Sequence, residues 1–231
     1  MIAPAVPFPV VVFDLDGTLL QSVPSLTRTL NVQFAEDGIA PLSEAEVGLM
    51  VGEGVGLLVA RAYGARGIGG GDIHDPGHAA RLARFSARYN ADPVTDARVY
   101  PGAVETLRAL KDQGIRLGLC TNKPEAPTLV LIEATGLAPF LDVVVGGDTL
   151  PRRKPDPLPL RHVLDHLGAT PDQALYVGDS PTDAACAQAA GVTLALLSHG
   201  YSRVPVETLG AKRVFDSLPA LARWVTDGAG D

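Results

Sequence analysis

Two aspartates one residue apart, Asp14 and Asp16, stand at the end of the apolar run Val10-Val11-Val12-Phe13, a combination suited to attack on phosphorus. If the run is a β-strand, its two-residue side-chain period lets both carboxylates face one side while Leu15 turns into the interior. The two can then divide the work. Asp14 is the expected nucleophile, forming an aspartyl-phosphate; Asp16 would protonate the departing alkoxide and later take a proton from water. Gly17 permits a tight turn that brings backbone N–H groups, with Thr18 beside them, toward a phosphate. An Asp-x-Asp after a strand could also be only a capping pair at a loop, so the functional reading depends on partners elsewhere.

Those partners recur in the same kind of place. Thr121, Asn122 and Lys123 follow the stretch Arg116 to Cys120; Gly178, Asp179 and Ser180 follow Leu175 to Val177, with Asp183 one helical turn on. Lys154 lies in Arg152-Arg153-Lys154-Pro155-Asp156-Pro157, where proline holds the lysine extended. Ligands of open parallel α/β sheets bind beyond the carboxyl ends of the strands, so these residues should converge. Asp14, Asp16 and Asp179 gathered there would repel one another unless a cation lies among them. Magnesium, which takes few carboxylates and shares itself with a substrate phosphate, suits such a set better than a closed calcium cage. Lys154 would add fixed positive charge, and Thr121 a hydroxyl donor, to the grip on phosphate.

The elements that must position these groups follow one grammar from Gly102 onward. Helices are predicted over 103–113, 128–135, 158–167 and 182–190, closed by Gly114, Gly136, Gly168 and Gly191, because a left-handed C-terminal position costs glycine little. The strands between them, 116–120, 143–145, 175–177 and 193–197, are nearly continuous apolar runs, as strands covered by helices on both faces must be. The expected fold is α/β, a doubly wound parallel sheet with a Rossmann-like core. Between the first strand and that repeat, 21–98 reads as helices (25–37, 43–50, 55–63, 78–90) interrupted by a glycine-rich run from Gly64 to Gly77. The expectation is a core domain of 1–20 and 99–231 with a small helical domain, 21–98, inserted after the first strand. The tail Asp227 to Asp231 should fray.

The chain has 231 residues, 46% hydrophobic and 5% aromatic, with 19 Lys plus Arg against 26 Asp plus Glu and a net charge of −7. That balance opposes nucleic acid and anionic membrane as partners. No apolar stretch is long enough to span a bilayer, and Met1 to Val12 lacks the features of a signal peptide, so a cytoplasmic protein, monomer or homodimer, acting on a small phosphorylated metabolite is expected. Cys120 and Cys186 have no CxxC spacing and read as reduced core residues.

Asp14-Leu15-Asp16-Gly17-Thr18, Thr121, Lys154-Pro155 and Gly178-Asp179-Ser180-Pro181-Thr182-Asp183 resemble the four ordered motifs of the haloacid dehalogenase-like phosphohydrolases. The resemblance implies that Asp14, the backbone carbonyl of Asp16, and Asp179 bind magnesium, that Asp183 orients the metal shell, and that the helical insert is a cap that closes over the site. More narrowly, Val51-Gly52-Glu53-Gly54-Val55-Gly56 with Arg61-Ala62, Tyr100-Pro101-Gly102 and Cys120-Thr121-Asn122-Lys123-Pro124 is similar to the bacterial phosphoglycolate phosphatases, from which the glycine-rich stretch Gly67 to Gly71 departs. This implies 2-phosphoglycolate as substrate. Phosphatases of sugar phosphates, nucleotides or pyrophosphate share much of the pattern.

Gly52, Gly54 and Gly56 do not follow a strand and so are not a dinucleotide fingerprint; they read either as a flexible turn or as N–H groups facing the organic part of the substrate. Arg61 could pair with an anion there or be a surface arginine. His162 and His166 lack the glutamate of a zinc-protease helix, and His74 and His78 read as loop residues. Among rival functions, a halide-releasing enzyme has no need of Asp16 or a metal, a phosphosugar mutase could share the whole core, and a non-catalytic phosphate-binding module fits poorly with an intact Asp14 and Asp16.

Overall fold

The computed structural model describes residues 7–228; the first six residues and 229–231, including most of the tail expected to fray, lie outside the described residues. In chain order the elements are β1 (Val10–Phe13), β2 (Leu20–Gln21), α1 (Val23–Glu36), α2 (Glu44–Gly48), α3 (Val55–Gly64), α4 (His78–Ala91), β3 (Arg98–Val99), α5 (Ala103–Asp112), β4 (Arg116–Cys120), α6 (Glu125–Ala134), β5 (Val143–Val145), α7 (Leu158–His166), β6 (Ala174–Gly178), α8 (Pro181–Ala190), β7 (Thr193–Leu197), β8 (Arg213–Phe215) and α9 (Leu218–Thr226).

Six strands form one parallel sheet in the order β5-β4-β1-β6-β7-β8, an α/β Rossmann-like core. The period of two sorts β1: Val11 and Phe13 enter one apolar layer and Val10 and Val12 the other. The first layer is covered by α5, α6 and α9, through residues such as Leu107, Leu131 and Leu221. The second lies under α7 and α8, through Val163 and Cys186. The chain leaves β1 toward β4 on one side and returns to β6 on the other, so β1 stands at the topological switch point where such sheets bind ligands.

Helices α1, α3 and α4 share a third apolar cluster containing Leu30, Phe34, Tyr63 and Phe85, with Phe34 meeting Tyr63 edge-on at 4.8 Å between ring centroids. Two features went unread in the sequence. An antiparallel ribbon pairs Leu20 with Val99 and Gln21 with Arg98, tying together the two chain segments that pass between sheet and helical lobe. Beyond β7, β8 extends the sheet and α9 packs on α5, with Trp224 against Phe8 at 5.7 Å. Among the described residues, no helix is long and apolar enough to cross a membrane.

Candidate active site

Past β1 the ladder continues for one residue, Asp14 N–H donating to Val177 O at 2.9 Å, so the first carboxylate starts from a rigid strand end. Leu15 is fully buried in the core; that burial contributes about 2 kcal/mol and leaves Asp14 and Asp16 to face the cavity that both line. Gly17 has φ +88°, and a Cβ there would run into the Asp179 carboxylate, so only glycine allows the turn and the close approach together. The Thr18 hydroxyl donates to Asp179 Oδ1 at 3.2 Å, and Tyr201 N–H donates to Oδ2 at 2.6 Å.

Lys154, 3% exposed, joins the loop before α7 to this group. Its ammonium lies 2.6 Å from Asp183 Oδ1 and 2.9 Å from Asp14 Oδ1, and donates to Tyr176 Oη at 2.8 Å. The contact with Asp14 is an ion pair off the hydrogen-bonding direction, which leaves Asp14 Oδ1 without a well-aligned hydrogen-bond donor among the described residues. Asp183 is fully engaged: Oδ1 accepts from Lys154 and Tyr176, and Oδ2 from the N–H groups of Asp179 and Ser180 and from the Ser180 hydroxyl at 2.6 Å. Ser180 in return caps α8, accepting from Asp183 N–H, so one reciprocal cap starts the helix and orients the carboxylate. Gly178 belongs to the same packing, since a Cβ there would overlap Asp183.

Burial raises the carboxyl of Asp14 to about 7, with Asp183 and Asp16 adding to the rise and Lys154 opposing it. Burial also lifts Asp179 well above the ordinary carboxylate value, helped by the charges of Asp183 and Asp14. For Asp183 burial acts upward too, but the charge and hydrogen bond of Lys154 outweigh it and hold the group low. Lys154 itself loses by burial and gains more from Asp14 and Asp183, so its value is raised. The result is a dry cluster short of positive charge.

Oxygens of Asp14, Asp179 and Asp183 lie within 4.8 Å of one another and can hold a metal ion. A set of oxygen donors alone, with one carboxylate oxygen lacking a well-aligned hydrogen-bond donor, fits a hard divalent cation. Because both oxygens of Asp183 are occupied, that residue fits an orienting part better than a direct one. The carboxylate of Asp16 stands outside this cluster, contrary to the expectation of three crowded aspartates at the strand ends. It is held by Lys123 Nζ at 3.2 Å, because Lys123 is itself buried and must find an anion.

A cavity of about 220 Å³ lies over the strand ends, lined on the sheet side by Asp14, Asp16, Thr121, Asn122 and Lys123 and on the helical side by residues including Gly52, Gly54, Phe85 and Tyr89. Thr121 Oγ1 accepts from Lys123 N–H at 3.2 Å, leaving its own proton free to donate. The Asn122 amide donates to Lys154 O at 3.0 Å and Gly52 O at 3.2 Å, tying the loops of those two residues together. Arg61, read either as a partner for a substrate anion or as a surface arginine, does not line the cavity; the guanidinium is held by Glu53 at 2.6 Å, a partner on the loop before α3. His78 is a correction of another kind, being buried at the start of α4 rather than in a loop. Cys120 and Cys186 are free and buried. Sequence reasoning missed Tyr176 and Tyr89: a tyrosine inside an apolar strand must pair its hydroxyl, which was a usable signal for the first.

A haloacid dehalogenase-like hydrolase family model matches residues 11–197. A protein of Rhodospirillum rubrum named phosphoglycolate phosphatase is 59% identical over 217 residues, covering 93% of this chain and 90% of that one. One of the same name from Cereibacter sphaeroides is 45% identical, covering 93% and 98%. A crystal structure described as a predicted phosphoglycolate phosphatase from Haemophilus somnus superposes with a TM-score of 0.87 at 30% identity, covering 95% of this chain and 99% of that one.

Proposed function

The chain belongs to the haloacid dehalogenase-like hydrolase family, and we propose that it is a magnesium-dependent phosphatase of 2-phosphoglycolate working through an aspartyl-phosphate on Asp14. The observation that carries this reading is that Asp14 and Asp16 line one cavity while Lys154 stands 2.9 Å from the nucleophile. A volume of about 220 Å³ lies below the roughly 300–1,000 Å³ of sites for larger ligands, which favours a short organic group over nucleotides. The names of the relatives point the same way.

Asp14 forms the bond to phosphorus as the bond from phosphorus to the glycolate oxygen breaks, and Asp16 gives that oxygen its proton. Water then attacks the phosphorus of the aspartyl-phosphate, Asp16 takes a proton back, and Asp14 departs as carboxylate. Lys154 balances charge on the phosphoryl group, and Thr121, Asn122 and the turn at Gly17 and Thr18 orient it. Asp14, Asp179 and the carbonyl of Asp16 would hold magnesium, with Asp183 as orienter, and the ion would supply the positive charge this cluster lacks at the nucleophile and at the phosphate. Residues 21–98 serve as the cap that shuts the cavity and excludes water, while 1–20 and 99–231 carry the chemistry.

Purified protein with magnesium should release phosphate from 2-phosphoglycolate in preference to sugar phosphates, nucleotides and pyrophosphate. Indifference across that panel would remove the substrate assignment. Activity surviving in Asp14→Asn would remove the mechanism.

A further inference from the structure

We propose that Tyr89, on α4 of the helical lobe, selects substrates by their carboxylate, acting together with Lys123; the inference rests on the phosphatase reading above. Tyr89 is 4% exposed and lines the same cavity as Asp14 and Asp16. Its buried hydroxyl makes no well-aligned hydrogen bond among the described residues; the nearby Lys123 ammonium can only donate to it, so the phenolic proton has no acceptor. A buried hydroxyl left unpaired is destabilising, so phenylalanine would serve better if only the ring were needed.

The neighbours define what the hydroxyl suits. The Lys123 ammonium, with its side chain 3% exposed, lies 4.7 Å from the Tyr89 ring centroid. The ring is stacked on Phe85 at 5.7 Å and 9°, which fixes the direction of the phenol. A phenolic donor beside a buried ammonium suits an anionic oxygen. The phosphate end already has Lys154 and Thr121, so the Tyr89 and Lys123 pair is left for an acid group at the other end of a short monoester. Lys123 also holds Asp16 at 3.2 Å. An arriving carboxylate therefore meets a cation that Asp16 already holds in place. A substrate with a neutral tail gives the Tyr89 hydroxyl nothing to donate to, and leaving a site's polar group unpaired is how such sites reject analogues.

The test compares 2-phosphoglycolate with ethyl phosphate, which has the same two-carbon tail without the acid. Tyr89→Phe should raise KM for 2-phosphoglycolate about tenfold, leave kcat within about twofold, leave ethyl phosphate kinetics unchanged, and not lower the unfolding midpoint. Tyr89→Leu, which also removes the ring from Lys123, should raise that KM further. Equal losses on both esters, or no loss on 2-phosphoglycolate, overturn the proposal. A wild-type enzyme indifferent to the carboxylate removes this inference and the substrate proposed above together. A wild type that demands the carboxylate, with Tyr89→Phe hitting both esters alike, removes this inference alone.

Discussion

The two walls of the cavity are built on opposite plans. On the sheet side, Asp14 joins the cavity to a buried network behind it, Lys154, Tyr176, Asp179 and Asp183, whose charges nearly all have partners at 2.6–3.2 Å. On the helical side the wall is largely apolar, with Leu26, Val55, Leu58 and Phe85 beside Tyr89 and the backbone of Gly52 and Gly54. Its ion pairs, such as Arg84 and Arg88 to Glu36, lie at the solvent face. The difference separates tasks: developing charge is met by fixed groups in a dry setting, whereas selection needs a wall that can vary without breaking that setting.

The largest expected effect therefore comes from the sheet side. Lys154→Met leaves Asp14 and Asp183 buried without their cation, which should cost on the order of 3–5 kcal/mol in urea unfolding of metal-free protein and lower phosphate release by about 10²–10³-fold. Unchanged stability would erase the contrast between the walls. Asp16→Asn should lower turnover of 2-phosphoglycolate by about 10²–10⁴-fold. With p-nitrophenyl phosphate, whose leaving group needs no proton, the same variant should give a burst of about one equivalent per site and then stall for want of a base; a burst absent in both substrates would move the acid elsewhere.

Acidity offers a gentler probe. A folded-state carboxyl raised from 3.8 to about 7, as at Asp14, keeps its proton where the unfolded chain has lost it. Its contribution to stability is full below the unfolded value and is lost as pH rises through the folded one; Asp179 shifts in the same direction. In a chelator the unfolding midpoint should fall between pH 4 and pH 8, by about 4–8 °C for each kcal/mol lost in a domain of about 100 residues and less in a larger one. Magnesium should raise it more at pH 8 than at pH 5. A midpoint that rises over that window would contradict the electrostatic account. The smallest effect belongs to the ion pairs of Glu53: Glu53→Gln loosens Arg61 and Arg203, at 2.6 and 3.1 Å, but these groups are partly exposed, so unfolding should change by less than about 1 kcal/mol and kcat should hold.

The catalytic candidates on the sheet side were legible in the chain because each follows an apolar run, and a parallel sheet brings strand ends together. Asp14, Thr121 and Asp179 needed no distances to be gathered, only the alternation of strands and helices. The ribbon of β2 and β3 was not legible, since a two-residue pairing between Leu20–Gln21 and Arg98–Val99 has no periodicity to read. The spacing of Leu218, Leu221, Ala222 and Val225 was a readable helix signal; its seat on α5, with Trp224 under Phe8, was not.

Residue type and order along the chain determined which groups could perform chemistry and which fold would collect them, because strand periodicity and helix caps are local. Partner choice was decided only by tertiary structure. Asp16 turns to Lys123 and Asp183 to Lys154, because a buried charge takes whichever counter-charge the packing brings within reach. The hydroxyl of Tyr89 shows the same dependence from the other side: packing left it beside an ammonium, with no acceptor for its proton among the described residues.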